Sequence, residues 1–114
     1  MNESFVLIFR QGRRQLTEED QTRRTQEVRR WAIQHINDGH GLDPRVLDDG
    51  SRRLGDEAPT DANGDGQVIA LNFIDATDFD DAVRVANTHP GLRYGIGIEV
   101  RRWRDPRVQS AVAR

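Results

Sequence analysis

Three short apolar runs, separated by stretches with helical spacing, constrain this chain more than any other feature. Phe5-Val6-Leu7-Ile8-Phe9 is too short for a helix and rich in β-forming residues, so it reads as a buried strand. Val68 to Ile74 is a second such run, and Tyr94 to Trp103 a third. Between the first two, Leu16-Thr17-Glu18-Glu19-Asp20 opens a long helix. Thr17 suits the N-cap, Asp20 can answer it three residues on, and the acids suit the positive helix end. The packing stripe falls on Thr25, Val28, Trp31, Ala32, His35 and Ile36, and Asn37-Asp38-Gly39 stops the helix with Gly39 as a left-handed cap. Asp78 caps a second helix whose apolar positions are Phe79, Ala82, Val83 and Ala86; Pro90 ends it near Thr88.

Residues 40–66 carry weaker signals. Pro44 and the surrounding charges fit a short edge strand around 44–47, with a second short strand around 51–54. Asp61-Ala62-Asn63-Gly64-Asp65-Gly66 reads as a turn. The order is therefore strand, helix, strand or hairpin, strand, helix, strand. This is the split βαβ plan of an α+β, ferredoxin-like βαββαβ domain with a four-stranded antiparallel sheet. The domain is expected over residues 1–104, and residues 105–114 form a polar C-terminal tail.

Composition agrees with one small domain: the chain has 114 residues, 35% hydrophobic and 32% charged. It has no cysteine, which removes disulfides, thiolate ligands and a cysteine nucleophile from consideration. All 17 basic residues are arginine, so no lysine is present for Schiff-base chemistry. No apolar run approaches the ~20 residues of a membrane span, and no basic-then-apolar leader opens the chain. A cytoplasmic protein is the expectation. Residues 91–114 carry 6 arginines against 2 acids, yet aromatics for base stacking are few and no nucleic-acid motif accompanies them, so nucleic acid is not expected as a partner.

Strand alternation then predicts two faces. If Phe5, Leu7 and Phe9 face the helices, Ile69, Leu71, Phe73, Ile96, Ile98 and Val100 join them. The other face would carry Val6, Ile8, Arg10, Val68, Ala70, Asn72, Ile74, Gly95, Gly97, Glu99 and Arg101. A face this apolar calls for a cover, and the simplest is a second copy in a two-fold homodimer. Gly95 and Gly97 would let that partner, or a ligand, approach the sheet closely.

The topology also gathers the exit of the first strand, the loop before the third and the turn after the second helix at one end of the sheet. His89, Asp65 and Arg10 are thereby candidate neighbours. His89 with Asp65 suits general acid–base work, and Arg10 suits an anionic substrate. The plainer alternative for His89 is closure of the helix C-terminus. Glu99 and Arg101, with Asn72 beside them, read as a polar cleft lining or as an ion-pair network at the interface. His35 reads as a packed histidine. His40 has Asp38 and Asp43 nearby but lacks a second histidine at a usual metal spacing, and the loop at 61–66 lacks the glutamate of a calcium loop. Neither a metal nor a cofactor is expected.

Several of these segments resemble the YCII-related family, also called the DGPF-domain group. Phe-Val-Leu-Ile-Phe-Arg (5–10) is similar to its first strand. Trp31 with Gly39 and Leu42 is similar to its first helix exit, and His89-Pro90 to its second helix end. Gly97-Ile98-Glu99-Val100-Arg101 is similar to its closing strand. The resemblance spans roughly residues 4–104. It implies a dimeric α+β barrel among mostly uncharacterised bacterial proteins, some proposed to be small-molecule enzymes using a histidine and an aspartate, within a wider superfamily of lyases, isomerases and monooxygenases. The sequence departs from the family where Gln67-Val68 follows Asp65-Gly66 in place of Pro-Phe.

Overall fold

The computed structural model describes residues 2–55 and 66–109. Its elements are β1 (Glu3–Arg10), α1 (Glu18–Asn37), β2 (Asp43–Val46), β3 (Val68–Ala76), α2 (Phe79–Asn87), a 3-10 helix (Pro90–Tyr94), β4 (Gly97–Arg102) and α3 (Pro106–Gln109). The four strands form one antiparallel sheet in the order β2-β3-β1-β4, which is compatible with a ferredoxin-like βαββαβ fold.

Local chemistry sets the helix ends. The Thr17 side chain accepts from the Asp20 N–H, and the Asp78 side chain accepts from the Asp81 N–H. α1 ends where Gly39 turns left-handed at φ 89°. α2 stops at Thr88, and a new turn starts at once: the His89 side chain accepts from the Gly91 N–H, Pro90 takes the first helical position, and Gly95 closes the turn at φ 88°. The last strand therefore begins at Gly97 rather than at Tyr94. Residues 51–54 form no strand, so β2 is the only strand between α1 and β3 among the described residues.

Both long helices pack on one face of the sheet. Phe5 and Leu7 are fully buried there with Ile74, Ala82 and Val85, and Trp31 reaches in from α1. Phe79 closes the edge of this core, ring-edge to Phe5 at 5.5 Å, with the Arg102 guanidinium over both rings. Glu27 of α1 ties the 3-10 helix down by accepting from Tyr94 Oη and Arg93 Nη2. Those two bonds, Tyr94's first, hold the Glu27 carboxyl below its ordinary pKa.

The register corrects the expected faces of β3. Phe5 lies opposite Ile74, Leu7 opposite Asn72 and Phe9 opposite Ala70, so these residues share the helix-covered face. Leu71 and Phe73 pair with Ile8 and Val6 and lie on the other face. A shift at Phe9/Arg10 skips Ile69, so Val68 falls opposite Arg10 and Ile69 packs against the core, as expected for these two residues. The strand is apolar at both parities, so alternation alone cannot choose between them. The cross-strand partners choose. Asn72 sits under the helices because its Oδ1 accepts the Asp43 N–H of β2 at 3.0 Å. The faces expected for β1 and for Ile98 and Val100 of β4 are the observed ones.

The second face thus carries Val6, Ile8, Leu71 and Phe73, with Trp103 ring-edge to Phe73 at 5.7 Å. Residues 47–55 are exposed throughout. Among the described residues, no helix is long and apolar enough to cross a membrane.

Candidate functional site

Two backbone bonds and one from a side chain bring the three predicted segments together. Gln11 N–H donates to Gln67 O, Gly66 N–H to Gln11 O, and Arg14 Nη1 to Arg93 O. Gly12 lies so near the Gly95 carbonyl that a Cβ there would overlap it, at 1.9 Å. On the open face at this end, Arg10 Nη2 pairs with Glu99 Oε1 at 3.0 Å, and Arg10 Nη1 donates to Gly66 O. Arg101 stands 3.9 Å from the other Glu99 oxygen. Arg10, Glu99 and Arg101 therefore form one strip, as their alternation predicts. Asn72 does not belong to it, being on the opposite face. Asp65 lies outside the described residues.

His89 is at the same end but points into the core. Its ring lies between Phe9, at 4.8 Å, and Trp31, at 4.6 Å, and its Nδ1 accepts from the Gly91 N–H at 2.9 Å. Gly91 has to be glycine for that approach, since a Cβ would meet His89 Nδ1 at 2.9 Å. Burial, with a smaller push from Arg24, lowers the His89 pKa to about 4. Near neutral pH the ring is uncharged, its Nδ1 lone pair is engaged, and the proton sits on Nε2. The side chain does what a cap does. The expected closure of the second helix's C-terminus is corrected: Thr88 caps that helix, and His89 caps the N-terminus of the following 3-10 turn as a neutral acceptor.

The grouping that sequence reasoning missed lies at the far end of α1. The left-handed Gly39 folds the chain back so that His40 N–H bonds His35 O at 3.0 Å, and the two rings meet edge to face at 5.3 Å. Thr88 at the end of α2 receives them. Its hydroxyl donates to Val85 O at 2.8 Å and accepts from Trp31 Nε1 at 3.0 Å. His35 Nε2 lies 3.2 Å from the same oxygen. The only hydroxyl hydrogen is already committed, so His35 Nε2 must be the donor. Its Nδ1 then carries a bare lone pair. Burial, and then the nearby His40, hold the His35 pKa down, which keeps the ring neutral.

His40 repeats the pattern. Its Nε2 lies 3.3 Å from Asp81 Oδ2. Asp81 is a buried carboxylate that also accepts from the Thr77 N–H and pairs with Arg84. The Thr77 bond is the main reason its pKa is lowered, with His40 and Arg84 adding to it. An ionised carboxylate only accepts, so His40 Nε2 is the donor in this pair. The Nδ1 atoms of His35 and His40 are both buried and without a hydrogen-bond partner. An unmade bond of this kind costs about 1–3 kcal/mol. Asp38 Oδ2 stands 4.0 Å from His35 Nδ1, and one donor atom each from His35, Asp38 and His40 lies within 4.8 Å of the others. A groove of about 380 Å³ opens beside Asp38, His40, Asp75 and Arg84. The spacing His35-x-x-Asp38-x-His40 is a faint signal that becomes meaningful only once the turn at Gly39 is known.

Among known proteins, the chain matches no family model and no curated protein.

Proposed function

We propose that the chain works as a two-fold homodimer packed sheet to sheet, in the manner of a dimeric α+β barrel. In this reading it binds a small anionic or aromatic molecule on the strip of Arg10, Glu99 and Arg101, where the second copy would close a cleft. One observation carries the reading: Val6, Ile8, Leu71 and Phe73 stand together on a face that neither long helix covers. Large apolar faces of this kind are buried in assemblies, where apolar area removed from water contributes about 25 cal/mol per Å². The strip beside them suits a two-fold axis. Glu99 and Arg101 lie two residues apart on one strand, so each can meet its opposite in the second copy.

The same strip supports the choice of ligand. Arginine presents a planar fork to a carboxylate and stacks on aromatic rings, and Phe73 and Trp103 add aromatic surface on the same side. Binding is the reading that the surroundings of His89 favour over proton transfer, because its Nδ1 is spent on Gly91. A thermal-shift panel of small carboxylates and phenols tests it, since a ligand that binds only the folded state raises the melting temperature. At least one aromatic acid should raise it in the natural protein and fail to do so in Arg10→Ala and Arg101→Ala. A panel without a hit, or an unchanged response in both variants, contradicts the proposal.

A further inference from the structure

We propose that His35, Asp38 and His40 form a binding site for one divalent first-row transition-metal ion of the Zn²⁺ type. In each histidine Nε2 is turned to an oxygen, Thr88 Oγ1 or Asp81 Oδ2, and in each the Nδ1 atom is buried and without a hydrogen-bond partner. Metal-ligating histidines are held in this way: the outer nitrogen donates to an oxygen that fixes tautomer and ring orientation, and the inner nitrogen faces the ion. His35 is 8% exposed, so water is a poor substitute partner for its free nitrogen.

Geometry and charge agree. A tetrahedral ion with bonds of ~2.0–2.1 Å places its donors about 3.3 Å apart, so donors now within 4.8 Å must close by up to about 1.5 Å. Asp38 is the ligand free to do this, because its side chain is 53% exposed at the helix end. That end is the negative pole of α1, which favours a cation. Two imidazoles and a carboxylate suit Zn²⁺, Co²⁺, Ni²⁺ or Cu²⁺ better than Mg²⁺ or Ca²⁺, which prefer all-oxygen shells. The groove beside Asp38 and His40 gives the ion a path in, and water can fill its remaining positions. Thr88 and Asp81 are positioning residues and do not touch the ion.

The test uses the full chain without an affinity tag, stripped by chelation, with Co²⁺ and Zn²⁺ as probes. Calorimetry and Co²⁺ visible absorption should show one ion bound per chain at micromolar concentration. Asp38→Asn, a change at an exposed position, should weaken binding about tenfold or more, and His40→Gln should do the same. Long-range ¹H–¹⁵N spectra should show His35 and His40 as Nε2–H tautomers before metal is added. Their Nδ1 signals should then move with Zn²⁺ while those of His89 stay. The inference is overturned if the natural protein binds neither ion, or if folded Asp38→Asn binds as tightly as the natural chain. It is equally overturned if the Nδ1 signals of His35 and His40 do not respond.

Discussion

The two faces of the sheet are built from the same kinds of residue and are treated differently by the chain. Under the helices, Phe5 and Leu7 are fully buried and even the polar Asn72 has its partner. On the other side, Ile8, Leu71 and Phe73 are only half-buried, and their polar neighbours pair with one another at the surface. The covered face owes its stability to packing within one chain. The other face, which neither long helix covers, holds the apolar surface that the proposed second copy would bury. Hydrophobicity along a strand says that a residue seeks cover; it does not say which molecule supplies it.

Substitutions on the two faces should therefore differ most. Leu7→Ala should cost about 2–5 kcal/mol in urea unfolding at any protein concentration, because it opens a cavity in a closed core. Leu71→Ala should cost much less in dilute protein, with a penalty that grows as concentration rises. Equal, concentration-independent losses would erase the distinction between the faces.

Acid should strike the covered side next. The His89 pKa is about 4 in the fold against an ordinary 6.5, so between these values the unfolded chain binds more protons. Stability is then complete above pH 6.5, falls as the pH drops toward 4, and levels off below it. A difference of that size corresponds to a loss on the order of 3 kcal/mol. Urea midpoints measured across this range should show the slope. His89→Asn offers Gly91 an acceptor without a titrating ring and should flatten it.

The glycines beside the fourth strand make a finer contrast. Gly95→Ala should destabilise by about 1–2 kcal/mol, since φ is 88° and a Cβ would meet the Arg14 Cβ at 3.0 Å. Gly97→Ala meets nothing within 4 Å and should leave thermal stability of the dilute protein nearly unchanged. The smallest effect belongs to Arg10 and Glu99, whose side chains are 43% and 42% exposed. A double-mutant cycle on that pair should return about 0–1 kcal/mol.

What could be read from the sequence was the chemistry that neighbours in the chain settle. Thr17, Asp78 and Gly39 announce helix ends because their side chains or missing Cβ act within one turn. The strand, helix and sheet order followed from the same local signals. The parity of the third strand was hidden because Ile69, Leu71 and Phe73 are as apolar as Ala70 and Ile74; only the partners of Asn72 and Ile74 decide it. Tyr94 belongs to a turn and not to the last strand because His89-Pro90, which ends one helix, also starts the next turn. Arg10, Glu99 and Arg101 fell together as alternation required. The His35–His40 pairing left only a faint trace, because it needs the turn at Gly39 and because the partners that orient the two rings, Thr88 and Asp81, lie more than 40 positions away in the chain.

Sedimentation equilibrium of the natural chain and of Phe73→Glu addresses the open face most directly. The natural protein should sediment as a species of twice the 13.0 kDa chain mass at micromolar concentration, and Phe73→Glu as a folded monomer. A natural protein that stays monomeric through that range, or a variant that dimerises equally well, would contradict the account.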